Sequence, residues 1–197
     1  METERRSHIK RSTKETQVEV DVNLDGTGSS TINTGIPFFN HLLEIFSKHS
    51  RFDLNLHAEG DIEVDFHHLV EDTGITMGEA LGAALGTKGG IKRFSSSCVP
   101  FDETLVRVCV DLSGRPYLHY QVPIDRPVIV HFDAGLIEDF LRAFVHSAGI
   151  TLHVDLIRGT NPHHIVEAVF KALARCLFDA SEVIYSQDDI PSTKGVL

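Results

Sequence analysis

The sequence predicts an α+β fold of two duplicated β-β-α-β-α halves, each a mostly antiparallel sheet with a helical layer on one face. Short runs of apolar/polar alternation occur in both halves, as half-buried strands require. Segments with apolar residues at helical spacing follow those runs in the same order each time. The pattern HHxxE at His67, His68 and Glu71 returns 96 residues later at His163, His164 and Glu167. A chain of 197 residues buries a core without needing disulfide or metal staples. The halves are expected at 1–90 and 91–197, the second with a C-terminal tail, as one compact duplicated unit.

Residues Thr16 to Leu24 alternate strictly and form the first expected strand. Asp25, Gly26 and Gly28 supply a tight turn into a return strand over 30–34. Pro37, followed by Phe38, Leu42, Ile45 and Phe46 at helical spacing, predicts the first helix. Alternation returns over 52–57, and 61–65 reads as a short strand. A long helix is expected from about Phe66 to Leu85, carrying Gly74, Gly78, Gly82 and Gly86 at intervals of four. Each glycine costs a helix about 1 kcal/mol relative to alanine, so such a row implies a neighbour packed very close. In the second half, strands are expected over 103–112 and 115–123, joined through Ser113 and Gly114. A helix over 136–147, a strand over 150–157 and a long helix from His163 to about Ala180 follow. Asn161 and Pro162 suit the cap and first position of that last helix. Residues 87–102, with Gly89, Gly90 and Pro100, read as the junction.

The net charge of −10 argues against nucleic acid or an anionic membrane as a partner. Cys98, Cys109 and Cys176 are odd in number and lack CxxC spacing, which predicts buried free thiols in a reducing compartment. The start is charged without an apolar run, and no stretch approaches a membrane span, so a cytoplasmic protein is expected. Twelve histidines are the unusual feature, since neutral imidazole is the commonest metal ligand.

A single HH pair at a helix start is more often solvated surface. Two copies at equivalent places, each with Glu four residues after its first histidine, point instead to metal ligation. On a helix Glu71 shares a face with His67 or His68. Adjacent histidines point about 100° apart, so two pairs suit two metals, each drawing one His from each pair. The pattern is not the zincin HExxH, and mixed imidazole and carboxylate donors suit Mn, Fe or Zn. The repeat also aligns His41 with Asp139, both on the helix preceding an HH helix and both capable of ligation. Histidines 8, 49, 57, 119, 131, 146 and 153 fall outside this pattern.

The blocks GIPFFNHLLEIFSKHSRFDL, DFHHLVEDTGITMGEAL, KGGIKRF, DLSGRPYL, AGITLH, NPHHIVEAVFKALARCL and PSTKGVL resemble the imidazoleglycerol-phosphate dehydratase family, in order, from about Glu15 to the C-terminus. The resemblance implies a duplicated fold and a manganese-dependent lyase of histidine biosynthesis, with two Mn²⁺ per subunit. It implies 24-subunit shells with active sites between subunits. Its metal set would be His41, His67, His68, Glu71, Asp139, His163, His164 and Glu167. Many members have His where this chain has Asp139, an exchange that adds negative charge and shortens the reach. Glu15 matches an acid that contacts substrate; Arg93, Arg115, Ser192, Thr193 and Lys194 match a phosphate clamp.

The proton to be lost is not flanked by a carbonyl, so the expected route runs through substrate imidazole held by a metal as imidazolate, which expels the hydroxyl. Glu15, Glu71 and Glu167 are the candidate proton shuttles. The substrate's phosphate demands a local positive pocket in an acidic chain. Two other readings use the same donors: a dinuclear metal-dependent phosphate-ester hydrolase, and a non-catalytic metal-binding shell protein.

Overall fold

Alternation decides which face of each strand is buried. In a computed structural model describing residues 5–125, 128–195 and 197, strand β2 (Thr16–Asn23) buries Val18, Val20 and Val22, and β4 (Asp53–Gly60) buries Leu54, Leu56 and Ala58. With β1 (Arg6–Ser12) and β3 (Ser30–Asn33) they form a sheet of order β1-β2-β4-β3. Two helices follow from this half, α1 (Pro37–Ser50) and α2 (His67–Leu85). The second half builds the same arrangement from β5 (Phe94–Phe101), β6 (Thr104–Asp111), β7 (Tyr117–Gln121) and β10 (Thr151–Arg158), in the order β5-β6-β10-β7. A small hairpin, β8 (Val128–Ile129) with β9 (Phe132–Asp133), precedes α3 (Leu136–Ala148), and α4 (Pro162–Ser181) follows β10.

The duplicated α+β architecture therefore stands, with one strand added at the front of each half. Strands β1 and β5 lie where the sequence suggested only a charged start and a junction. Both are edge strands with little full burial, β1 mostly polar and β5 carrying a run of three serines, so they lack the hydrophobic alternation that marks a strand in sequence. The return strand over 30–34 does not pair with β2. Asp53 accepts the backbone N–H of Thr27 at 2.8 Å and of Ser29 at 2.9 Å, which draws the turn across the start of β4. β3 then pairs parallel with β4, and β7 pairs parallel with β10. Residues 61–65 form a turn rather than a strand, closed by hydrogen bonds from Ile62 N–H to Gly60 and from Val64 N–H to Asp61. All three cysteines are free, but only Cys176 is buried; Cys98 is exposed.

Each helical pair lies on its own sheet and packs across onto the other half: α1 on α4, and α2 on α3. Phe140 sits at the centre, 5.5 Å edge-on to Phe39 of α1 and 5.7 Å from Phe170 of α4. Asp72 carries an ion pair into this layer, taking Arg11 Nε at 2.9 Å and the Thr16 hydroxyl and so tying α2 to β1 and β2.

The glycine row has the expected consequence over part of its length. A Cβ at Gly74 would stand 2.5 Å from the Phe140 carbonyl oxygen, and one at Gly78 would stand 2.4 Å from that of Phe144. At Gly82 the nearest atom would be 3.7 Å away, an ordinary contact, and Gly86 ends the helix at φ 54°. Gly78→Ala should therefore cost about 1–3 kcal/mol by forcing two backbones apart. Gly82→Ala should be neutral or stabilising by up to about 1 kcal/mol from helix propensity. Urea unfolding midpoints of the two variants test this, and equal destabilisation would refute it.

Candidate metal centre

Both HH pairs occupy the first turn of a helix that is capped the same way. The Asp65 carboxylate accepts the His67 backbone N–H at 2.7 Å, and the Asn161 side-chain oxygen accepts that of His163 at 3.0 Å. Such caps satisfy first-turn donors and fix where the helix begins. The rings of each pair diverge with the helical screw, with centroids 6.2 Å apart and interplanar angles of 75° for the first pair and 81° for the second.

His41, on the first turns of α1, meets the second HHxxE copy. His41 Nε2 lies 3.0 Å and His163 Nε2 lies 2.7 Å from the same oxygen, Glu167 Oε1. These three ligand atoms all fall within 4.8 Å of one another. The other Glu167 oxygen is taken by Lys171 Nζ at 2.7 Å. Burial alone would raise the Glu167 pKa, but the hydrogen bonds from Lys171, His41 and His163 and the lysine charge pull it down to about 2. The result is an ionised, buried carboxylate between two imidazoles, the donor set of a divalent transition-metal site. One turn further along α4, Arg175 joins Lys48, His49 and Arg51 around an open cavity of about 520 Å³. Burial, Lys171 and Arg175 together hold the His49 pKa down, although the Glu167 charge works the other way.

Asp139, on the first turn of α3, meets the first HHxxE copy. His67 Nδ1 lies 3.6 Å from Asp139 and His67 Nε2 lies 3.8 Å from Glu71. All three side chains are more than two-fifths exposed, so this group is looser than its counterpart. Each helix-start ligand thus crosses to the HHxxE copy of the other half. Within one chain the two HH pairs stay in separate clusters, with Phe66, Phe132 and Phe38 in series between them. The expectation that each metal draws one His from each pair is therefore not met inside a single chain.

The second histidine of each pair turns to a different carboxylate. His164 Nδ1 lies 2.8 Å from Glu103 Oε2, and His68 Nδ1 lies 3.1 Å from Asp61 Oδ2 and 3.8 Å from Glu15. Hydrogen bonds from His164 and from the backbone N–H groups of Asn161 and Thr160 hold the Glu103 carboxyl far below its usual range. The Asp61 hydrogen bond raises the His68 pKa, against a smaller desolvation effect and with help from the charges of Glu15, Asp61 and Asp65.

The expected phosphate-binding residues gather elsewhere. Asp111 accepts Arg93 Nε at 2.7 Å and Arg115 Nη2 at 3.4 Å, while Arg93 Nη1 donates to the Pro191 carbonyl at 2.6 Å. That bond brings Ser192, Thr193 and Lys194, which follow Pro191, to the same end of the molecule. Arg93 is held there at φ 74°, a left-handed conformation disfavoured for a residue with a side chain. β6 runs between the two sites, with Glu103 before its first residue and Asp111 as its last. At about 3.4 Å per residue, about 24 Å of strand separates the metal-type donors from the guanidinium groups.

Glu103, Asp61 and Lys171 were not among the residues expected from sequence. A signal for Glu103 was present: Glu15-Thr16 and Glu103-Thr104 each open an x-V-x-V-x-V strand, so Glu103 is the repeat counterpart of Glu15. Asp61 and Lys171 have no such counterpart in the other half.

A family model described as imidazoleglycerol-phosphate dehydratase matches residues 34–177. The chain is 52% identical over 193 residues to the imidazoleglycerol-phosphate dehydratase of Caldanaerobacter subterraneus subsp. tengcongensis, covering 98% of this chain and 100% of the relative. It is 50% identical over 197 residues to that of Desulfotalea psychrophila, covering 100% and 98%. Among solved structures, the Staphylococcus aureus imidazoleglycerol-phosphate dehydratase superposes with a TM-score of 0.81 at 41% identity, covering 89% of this chain and 97% of that one. A Pyrococcus furiosus structure in complex with (S)-C348 gives 0.82 at 35% identity, covering 96% and 100%.

The depressed Glu167 pKa makes a stability prediction for metal-free protein. Its folded value, about 2, lies below its ordinary value of 4.5. The stabilisation is therefore full above about pH 4.5 and is lost as pH falls toward 2. Urea midpoints of the wild type and Glu167→Gln, measured from pH 6 down to pH 3, should converge on acidification. A pH-independent difference would contradict the assignment.

Proposed function

The chain belongs to the imidazoleglycerol-phosphate dehydratase family, and from that premise we propose a metal-dependent site shared between subunits for its reaction. The protein is a hydro-lyase of histidine biosynthesis, removing water from imidazoleglycerol phosphate to give imidazole-acetol phosphate. The observation that supports the metal is the convergence of His41, His163 and Glu167 on one point. His67, Glu71 and Asp139 form the second donor group, and His68 and His164 complete the set, for two Mn²⁺ per subunit.

A divalent ion held by these donors would supply Lewis acidity toward the substrate's imidazole, stabilising negative charge on the ring. The protein's own groups do the rest. Glu167 is already ionised, buried and bonded to Lys171, which suits a fixed ligand. Glu15 is more than half exposed and only 3.8 Å from His68, so it is free to carry a proton to or from substrate; Glu71 is the alternative carrier. Arg93, Arg115, Ser192, Thr193 and Lys194 bind the phosphate, the guanidinium fork being well matched to an oxyanion. Holding both ends of the substrate orients the reacting carbons for elimination.

Imidazole and phosphate sit at opposite ends of a short carbon chain, which does not reach across about 24 Å of β6. One subunit therefore supplies the metal-type donors and another the phosphate clamp. This supports a homo-oligomer with active sites at its interfaces, and the shell of 24 subunits is the assembly that the family resemblance implies. Among the described residues no helix is long and apolar enough to cross a membrane, and we place the enzyme in the cytoplasm.

Exhaustive chelation should abolish dehydratase activity, and Mn²⁺ should restore it in proportion to the metal bound; full activity in metal-free protein would sink the reading. Arg115→Ala should raise KM about 10–100-fold, the worth of one charged hydrogen bond, with a smaller change in kcat. An unchanged KM would remove Arg115 from the clamp.

A further inference from the structure

Resting on the metal reading above, we infer that Glu103 and Asp61 are positioning residues, holding His164 and His68 as Nδ1–H donors so that Nε2 of each ring is the ligand atom. An ionised carboxylate only accepts hydrogen bonds, so a ring nitrogen facing it carries the proton, and the lone pair is left on the other nitrogen. At His164 the acceptor is Glu103 Oε2, at 2.8 Å. Glu103 is itself fixed, because its Oε1 accepts the backbone N–H of Thr160 at 3.2 Å and of Asn161 at 2.9 Å. The His164 ring also rests against Phe101, 4.5 Å between centroids, and the same Phe101 ring takes the Lys171 ammonium at 3.7 Å. Ring plane, tautomer and basicity of His164 are thus set before any metal arrives, as carboxylate–histidine pairs do in metal sites.

The first half reaches the same end with a different residue. Glu15 stands where Glu103 stands in the repeat, directly before the threonine that opens its strand. It keeps 3.8 Å from His68, while Asp61 makes the close contacts at 3.1 and 3.2 Å. Asp61 comes from the turn between β4 and α2, where backbone hydrogen bonds take residues 61–65 out of strand geometry. With orientation of His68 taken over by Asp61, Glu15 is released for substrate. Glu103 has no such substitute and keeps the orienting role itself.

Equilibrium dialysis of the full chain against Mn²⁺ tests this. Glu103→Gln and Asp61→Asn each keep an oxygen but can set an amide N–H₂ against Nδ1, favouring the tautomer with Nε2 protonated. Each should bind Mn²⁺ about 10–100-fold more weakly, while the Tm of the metal-free protein stays within a few degrees of wild type. Glu103→Asp, which retains the charge, should bind more tightly than Glu103→Gln. Wild-type Mn²⁺ affinity in both amide variants, with or without a lowered Tm, would overturn the inference and leave the metal reading standing. Failure of the unaltered protein to bind Mn²⁺ would overturn both.

Discussion

The backbone contact between α2 and α3 is the constraint from which the site geometry follows. Gly74 and Gly78 let α2 approach the Phe140 and Phe144 carbonyls more closely than any side chain would permit. That approach sets the first turn of α3 beside the first turn of α2 and so brings Asp139 to His67. The companion packing of α1 on α4, through the Phe39–Phe140–Phe170 aromatic contacts, brings His41 to His163 and Glu167. Helix starts are short rigid levers, and two close helix–helix contacts place every donor on them.

The crossing of ligands between halves has an electrostatic consequence. Each HHxxE helix contributes a histidine and a carboxylate, and the opposite half supplies the third donor. Where that donor is His41, the cluster is tight and carries the Lys171 charge against Glu167. Where it is Asp139, two carboxylates share one imidazole without a lysine among their described partners, and the distances open to 3.6 and 3.8 Å. The excess of acid in this chain is thus partly local, concentrated where a metal would neutralise it, while the guanidinium groups gather about 24 Å away along β6.

Much of the site was legible as spacing. The 96-residue recurrence of HHxxE, the alignment of His41 with Asp139, and the Asn161 cap before the second HH pair all reappear in the structure. The strands legible in sequence were those with one buried face, such as β2 and β6. Edge strands β1 and β5 were not, because strands so little buried need no regular alternation and carry no periodic hydrophobic mark. Glu103 and Asp61 escaped for a related reason. A carboxylate at a strand start or turn is an ordinary surface residue in sequence, and its role depends on which ring it faces.

Residue order by itself determined the duplicated α+β plan, the family and the list of donors, since periodicity, caps and motif spacing are local properties written along the chain. Which donors meet was decided only by tertiary structure. His41 lies 126 positions from Glu167, and their contact depends on how α1 packs on α4. The same packing separates the two HH pairs within a chain and leaves Arg93 and Arg115 at the far end of β6. Local pattern specifies what each residue can bind, but the packing of rigid helices and strands sets the distances, and those distances put the His164–Glu103 pair and the Arg93 and Arg115 guanidinium groups at opposite ends of β6.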